Sequence, residues 1–303
     1  MNRRSFLSCL AFAGAFLMVP ALRAEAPAKP VIAILNAYPP EMEAMIESFG
    51  MTGEGWTNQV IRGFRFYQGE LDGHQVVVVE TGMSPTNAAM SLQIALMSFP
   101  ITHVLFAGVA GGTDPSLKVG DIVIPERWAY HDEAAYFNED GQGGYVIAEY
   151  FVKKYPNFGM IFPDEVVATR ASAPGFVRVP TFPACPELIA AARRAHEALG
   201  ELRDEKTGRP LRIEIGGTGV SGSVFVDHAG YREHIFNTWG AKATDMESAA
   251  YAQVCYTNEV PFLAIRALSD LAGGQEGINH IDDHQKASSV NAVRFLRALL
   301  QQL

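Results

Sequence analysis

Three stretches of this sequence are too apolar to lie at a surface: PVIAILNA at 30–37, THVLFAGVAGG at 102–112 and VPFLAIRALSD at 260–270. A strand with one wet face alternates apolar and polar residues. These runs do not, so both of their faces must be covered, as in the middle of a sheet with helices on either side. Segments with helical spacing lie between and after them: PTNAAMSLQIALMSF (85–99), CPELIAAARRAHEALGEL (185–202) and HQKASSVNAVRFLRALLQQL (284–303). FRFYQGELDGHQVVVVETG (64–82) reads as a hairpin turning at Asp72-Gly73. VGDIVIPERWAYHD (119–132) reads as a strand, and RIEIGGTGVSGSVFV (212–226) as strand, glycines and strand. The alternation is that of an α/β protein. With 303 residues, 48% of them hydrophobic, and no linker after the first residues, a single domain is expected. Residues 133–184, rich in Gly, Pro, Tyr and Phe, are the least regular part and read as a long loop.

Residues 1–26 stand apart. Arg3 and Arg4 precede an apolar run from about Phe6 to Val19, followed by small residues at Ala24 and Ala26. This is the anatomy of a secretory signal, too short in its apolar part for a membrane span. NRRSFL is similar to a twin-arginine motif, with ordinary Sec export as the alternative. The expected location is periplasmic or secreted, with no membrane attachment once the signal is removed. A formal charge of −9 argues against nucleic acid as a partner. Cys185 and Cys255 remain in the mature chain, and Cys255, inside an apolar helical pattern, reads as a buried free thiol. HIDDH (280–284) spaces two histidines four apart, but a solvated helix start explains it better than a metal site. No metal and no cofactor is expected.

Chemistry is suggested by acids at strand ends. Glu41, Asp245, Glu247 and Asp270 each sit where an apolar strand gives way to a helix or loop. In α/β folds that edge is where ligands bind. In DMESAAYAQVC (245–255), an acid ahead of a buried helix can cap its free N–H groups or hold a ligand. At a period of two, Arg266, Leu268 and Asp270 share one face of their strand, and Ala267 and Ser269 the other.

TDMESAAYAQVC followed by VPFLAIRALSDLAGG resembles the signature of the nucleoside phosphorylase superfamily, and in particular its 5′-methylthioadenosine/S-adenosylhomocysteine nucleosidase branch. AGGTDPSLKVGDIVIPERWAYHD is similar to that family's central strand–glycine–strand segment, and AILNAYPPEME to its first strand and catalytic acid, though Pro39 and Pro40 depart from the usual pattern. SGSVFVDHAGYREHIF is similar to the secreted bark storage proteins of the same superfamily, as is the extended segment 133–184. The likeness covers roughly residues 30–130 and 215–303. It implies one mixed central β-sheet flanked by helices over residues 27–303, and cleavage of a purine nucleoside such as adenosine or methylthioadenosine.

The resemblance also implies roles. Asp270 would donate a proton to the departing purine. Glu247 would accept hydrogen bonds from the sugar hydroxyls, with Met246 packing on the ring. Glu41, or Glu43 if the prolines shift the register, would activate water. Phe225 would stack on the base and the main chain of Val226 would meet its edge. Arg266 and Ser269 would support the site, Thr81 could hold a water or a weak anion, and Asp245 would cap its helix. Phosphorylases of the family carry an arginine and a serine where this chain has Phe106 and Val109, which favours water as nucleophile. The alternatives are a phosphate-dependent phosphorylase and a secreted storage or nucleoside-binding protein with little turnover. Relatives bury apolar surface against a partner near the site, so a homodimer is expected.

Overall fold

A computed structural model describes residues 30–204, 207–279 and 281–303. The predicted signal segment lies outside the described residues. In chain order, the first half runs β1 (Val31–Asn36), α1 (Pro39–Phe49), β2 (Thr57–Ile61), β3 (Phe64–Leu71), β4 (His74–Glu80), α2 (Pro85–Ser98), β5 (Ile101–Gly112), β6 (Ile122–Ile124) and β7 (Arg127–Tyr130). Short strands follow: β8 (Ala134–Tyr136), β9 (Ile161–Pro163), β10 (Val166–Arg170), β11 (Ala173–Val179) and β12 (Phe182–Pro183). The last third comprises α3 (Pro186–Leu199), β13 (Ile213–Ile215), β14 (Thr218–Ser221), α4 (Ala229–Trp239), β15 (Ala241–Asp245), α5 (Ser248–Asn258), β16 (Phe262–Asp270) and α6 (Ile281–Leu300).

The long strand β5 organises the sheet. Its first half lies parallel to β1 on one side, β16 runs parallel to it on the other from Val104 to Gly111, and its last residues pair antiparallel with β15 through Thr244 and Gly111. The sheet is therefore mixed. The three runs that the sequence marked as doubly buried are its centre, and their alternate residues serve opposite layers. Ile32 and Ile34 face a core built with α1, α3 and α6. Ala33 and Leu35 face one built with α2 and α5. The predicted hairpin closes at Asp72 (φ 50°) and Gly73 (φ 88°), the two positive φ values that a type I′ turn demands. A second turn of the same kind, at Arg62 (φ 53°) and Gly63 (φ 90°), joins β2 to β3.

Three expectations change. Segment 133–184 is not one long loop: β8 pairs with β9 and β10 with β11, both antiparallel, so local pairing satisfies backbone that the main sheet does not reach. The second strand expected up to Val226 ends at Ser221, because β14 has β15 as a neighbour only that far. The strict alternation along β16 also fails. Its register against β5 shifts between Leu268 and Asp270, and that slip turns Ser269 and Asp270 toward the same cavity. Cys255 is buried and free as expected, and Ile281, Asp282, Asp283 and His284 of the HIDDH stretch open α6, while His280 lies outside the described residues. Among the described residues no helix is long and apolar enough to cross a membrane, and no cluster of three His, Cys, Asp or Glu side chains could hold a metal.

Candidate active site

At the C-terminal ends of β1, β5, β15 and β16 lies a cavity of about 290 Å³. Glu41, Asp245, Glu247, Arg266, Ser269 and Asp270 supply much of its polar wall, and Met83, Val109, Phe225, Met246 and Ile281 much of its apolar wall. Seven separate segments of the chain thus converge on one space at the carboxyl edge of the parallel strands.

Glu41 reaches the cavity because α1 starts on two prolines. Proline suits a first helical turn, whose N–H groups have no intrahelical partner. The prolines therefore fix the helix start rather than disturb it, and Glu41 falls at the third helical position. Its carboxylate turns back to accept the amides of Ala37 (2.8 Å) and Tyr38 (3.2 Å), and across the site that of Val109 (2.7 Å). Glu43 is exposed and points away. A Cβ at Gly108 would stand 2.0 Å from Glu41 Oε1, so this position of β5 must be glycine for the carboxylate to fit.

Arg266 is the hub. It is 2% exposed, and three buried carboxylates surround its guanidinium. Asp245 Oδ2 lies 3.2 Å from Nε, Glu41 Oε1 3.8 Å from Nη1 and Glu247 Oε2 3.9 Å from Nη2. One face of the guanidinium stacks on Phe106 at 4.0 Å from the ring centroid. Nη2 donates to the Val109 carbonyl, but Nε and Nη1 have no hydrogen-bond partner among the described residues. The ion pairs are close without being well-aligned hydrogen bonds.

Asp245 caps α5: it accepts the amides of Glu247 (3.2 Å) and Ser248 (3.1 Å) and the hydroxyls of Ser221 and Ser248. Glu247 is freed from that duty. Its Oε1 accepts the amide of Ser84 at 2.9 Å. Ser84 holds φ 96° and ψ 152°, a conformation that costs a non-glycine residue of order 1–3 kcal/mol and is found where a site over-determines the backbone. Asp270 is held the same way, by the amide of Ala272 (φ 51°) at 2.8 Å, and by the Ser269 hydroxyl at 3.0 Å.

Burial sets the protonation of these acids. It is the largest effect on Glu41, Glu247 and Asp270, and it raises the pKa of each. Arg266 and the Ala37, Val109 and Tyr38 amides pull Glu41 back down only in part. The neighbouring charge of Asp245 adds to the rise at Glu247. Asp270 is opposed by its bonds to Ala272, Ser269 and Asn279, and pushed further by Asp227. Three acids with raised pKa in one cavity suit proton transfer.

Most of the residues expected from sequence line this space: Glu41, Phe225, Met246, Glu247, Arg266, Ser269 and Asp270, with Val226 at an adjoining recess behind Phe225. Thr81 does not. It is 1% exposed, and its hydroxyl is engaged by the Asn36 carbonyl at 3.0 Å and by Tyr251, which leaves it nothing to offer a ligand. Sequence reasoning missed Thr244, which lines both spaces, and the convergence of three acids on Arg266.

Comparison with known proteins agrees with this geometry. The family model described as the phosphorylase superfamily matches residues 31–301. A 5′-methylthioadenosine/S-adenosylhomocysteine nucleosidase of Colwellia psychrerythraea is 30% identical over 276 residues, covering 89% of this chain and 95% of its own. One of Psychromonas ingrahamii is 32% identical over 249 residues, 80% of this chain and 88% of its own. Among solved structures, the nucleosidase of Neisseria meningitidis in complex with methylthio-immucillin-A is 28% identical, with a TM-score of 0.66 over 90% of this chain and 99% of that one.

Proposed function

The chain belongs to the phosphorylase superfamily, and from that premise we propose that it is a purine nucleosidase, which cleaves the N-glycosidic bond of purine nucleosides with water as nucleophile. Methylthioadenosine and S-adenosylhomocysteine, which name its relatives, are the first substrates to test. As the bond to C1′ breaks, its electron pair leaves with the base and positive charge develops on the sugar. Asp270, whose pKa burial raises, delivers a proton to N7 of the base. Glu247 accepts the sugar hydroxyls, and Glu41 takes a proton from the water that attacks C1′. The products are a free purine and a free sugar.

The observation that carries hydrolysis over phosphorolysis is the charge balance. Arg266 is the one cation among the described residues lining the cavity, and Glu41, Asp245 and Glu247 already surround it. A phosphate dianion needs fixed cationic donors. Here it would enter a site with excess negative charge, which instead favours a sugar gaining positive charge. Base release should proceed at the same rate with and without phosphate, and the sugar product should carry no phosphate. Strict phosphate dependence with a sugar 1-phosphate product would overturn the reading.

Two further parts of this proposal rest on other observations. Export from the cytoplasm is supported by Arg3, Arg4 and the apolar run after them. Replacing both arginines with lysine should abolish twin-arginine export in cell fractionation, and undiminished periplasmic protein would leave only Sec export. A homodimer is supported by Met83, Met90 and Met97, which are 52%, 47% and 81% exposed beside the cavity and along α2. Met90 and Met97 are seven residues apart and so share one face of the helix. Light scattering that gives only monomer at every concentration would rule the dimer out.

A further inference from the structure

Thr244 is 5% exposed and lines both the cavity and the recess behind Phe225, yet its hydroxyl has no hydrogen-bond partner among the described residues. A buried, unpaired hydroxyl costs roughly 1–3 kcal/mol. A threonine kept there without a partner within the fold points to a partner outside it.

The register of the sheet says which part of a ligand that is. Successive residues of β15 face opposite ways. Asp245 turns toward Arg266, and Ala243 packs in the same direction on Val123 and Leu268. Thr244 therefore projects from the other face. There its pairing partners are Val220 and Gly111. Val220 belongs to the cluster containing Val226 and Ala272, the residues next to Phe225 and Asp270. Gly111 offers no side chain, and a Cβ there would crowd Asp270 Oδ1 at 3.0 Å. The side chain is thus directed toward the part of the site walled by Phe225, Val226 and Asp270, away from the Glu41–Glu247–Arg266 group, and a rotation about its Cα–Cβ bond turns the buried hydroxyl to face a ligand there.

We infer that Thr244 is a specificity-determining residue, whose hydroxyl donates a hydrogen bond to a ring nitrogen of the bound purine other than N7. This rests on the nucleosidase reading, in which Asp270 occupies N7. A six-membered ring edge offers acceptors at N1 and N3, and a donor fixed at either distinguishes a purine from an isosteric ring with carbon there. Loss of such a donor leaves a buried ring nitrogen unpaired.

The test is the affinity of the full mature chain for adenine, by calorimetry, in wild type, Thr244→Val and Thr244→Ser. Thr244→Val should weaken binding about tenfold, and Thr244→Ser, which keeps the hydroxyl, should not. The Thr244→Val deficit should vanish with either 1-deazaadenine or 3-deazaadenine and persist with 7-deazaadenine. The melting temperature of ligand-free Thr244→Val should equal or exceed that of wild type, since no internal bond is lost. Unchanged affinity, a deficit that persists with all three analogues or vanishes only with 7-deazaadenine, or a variant that is less stable or fails to fold would overturn the inference. A wild type that binds adenine but cleaves no nucleoside would overturn the proposed function alone. A wild type that binds no purine would overturn both.

Discussion

The two walls of the cavity are built to different specifications. On the wall of Glu41, Asp245, Glu247 and Arg266, no side chain is more than 7% exposed, and each carboxylate is tied to a backbone amide. These residues stand on strand ends and helix starts. On the opposite wall, Phe225 is 56% exposed, and the segments 222–228 and 271–279 that frame it lack regular structure for most of their length. They are joined to each other by Asp227, whose Oδ1 accepts from Gln275 (2.8 Å) and Asn279 (3.2 Å). The difference follows from what each wall must do. Charge that develops in a transition state is stabilised only by groups already in place, so that wall is rigid. A flat apolar base is held by contact area and a few directed bonds, which loops can supply and adjust.

The largest effects should come from removing one acid on each wall. Glu41→Gln and Asp270→Asn should each lower kcat by ~10²–10⁴, the range for losing general acid or base help. Their pH profiles should part. In the proposed mechanism Glu41 works deprotonated, so wild-type rate rises with pH through its raised pKa. Asp270 works protonated, so rate falls as pH rises through its own. Glu41→Gln should erase the acidic limb and Asp270→Asn the alkaline limb. Loss of the same limb in both variants would break the division into two walls, and full activity in either would remove that residue from the mechanism.

Arg266→Met comes next, and it separates stability from turnover. Methionine fills similar length but leaves three buried carboxylates without their shared cation. Breaking a buried ion pair by removing one partner costs about 3–5 kcal/mol. Because Arg266 also holds down the pKa of Glu41 and Glu247, the deficit should shrink as pH falls and those acids take up protons. Urea unfolding at several pH values measures this. A loss under ~1 kcal/mol at neutral pH would show that Arg266 is not the counter-charge the geometry makes it.

The contrast between walls is also a contrast in legibility. The rigid wall was readable because its acids stand where an apolar strand gives way to a helix, as Glu41 does after PVIAILNA and Glu247 does ahead of SAAYAQVC. What the sequence hid there was assembly. Arg266 meets Glu41 across 225 positions of chain, and pattern gives no hint of that pairing. Nor does a period of two foresee the register slip that brings Ser269 and Asp270 to one space. On the other wall, Phe225 was placed only by resemblance. Thr244 drew no reading at all, since threonine is as common in a strand as at a site. The turn at Arg62-Gly63 was missed because arginine is an unusual residue at positive φ. In 133–184 the strands are short and half-exposed, so neither apolar runs nor clean alternation marks them.

The smallest effect is on stability, and it bears on why the rigid wall is costly. In the ligand-free protein Glu247 has a pKa raised above 4.5, first by burial and then by Asp245. Between the unfolded and folded values the native state binds more protons than the unfolded chain, so stability declines as pH rises through that window. The burial penalty is absent below the unfolded value and fully present above the folded one. Glu247→Gln removes the charge while nearly keeping the shape, and leaves Arg266 with Asp245 and Glu41. The variant should therefore be as stable as wild type near pH 4 and more stable than it at pH 7 and beyond, by at least about 1 kcal/mol in urea unfolding. Asp270→Asn should behave in the same direction. A Glu247→Gln variant less stable than wild type at neutral pH would mean that the ion pair with Arg266 outweighs desolvation, and that the wall is held by its charges rather than in spite of them.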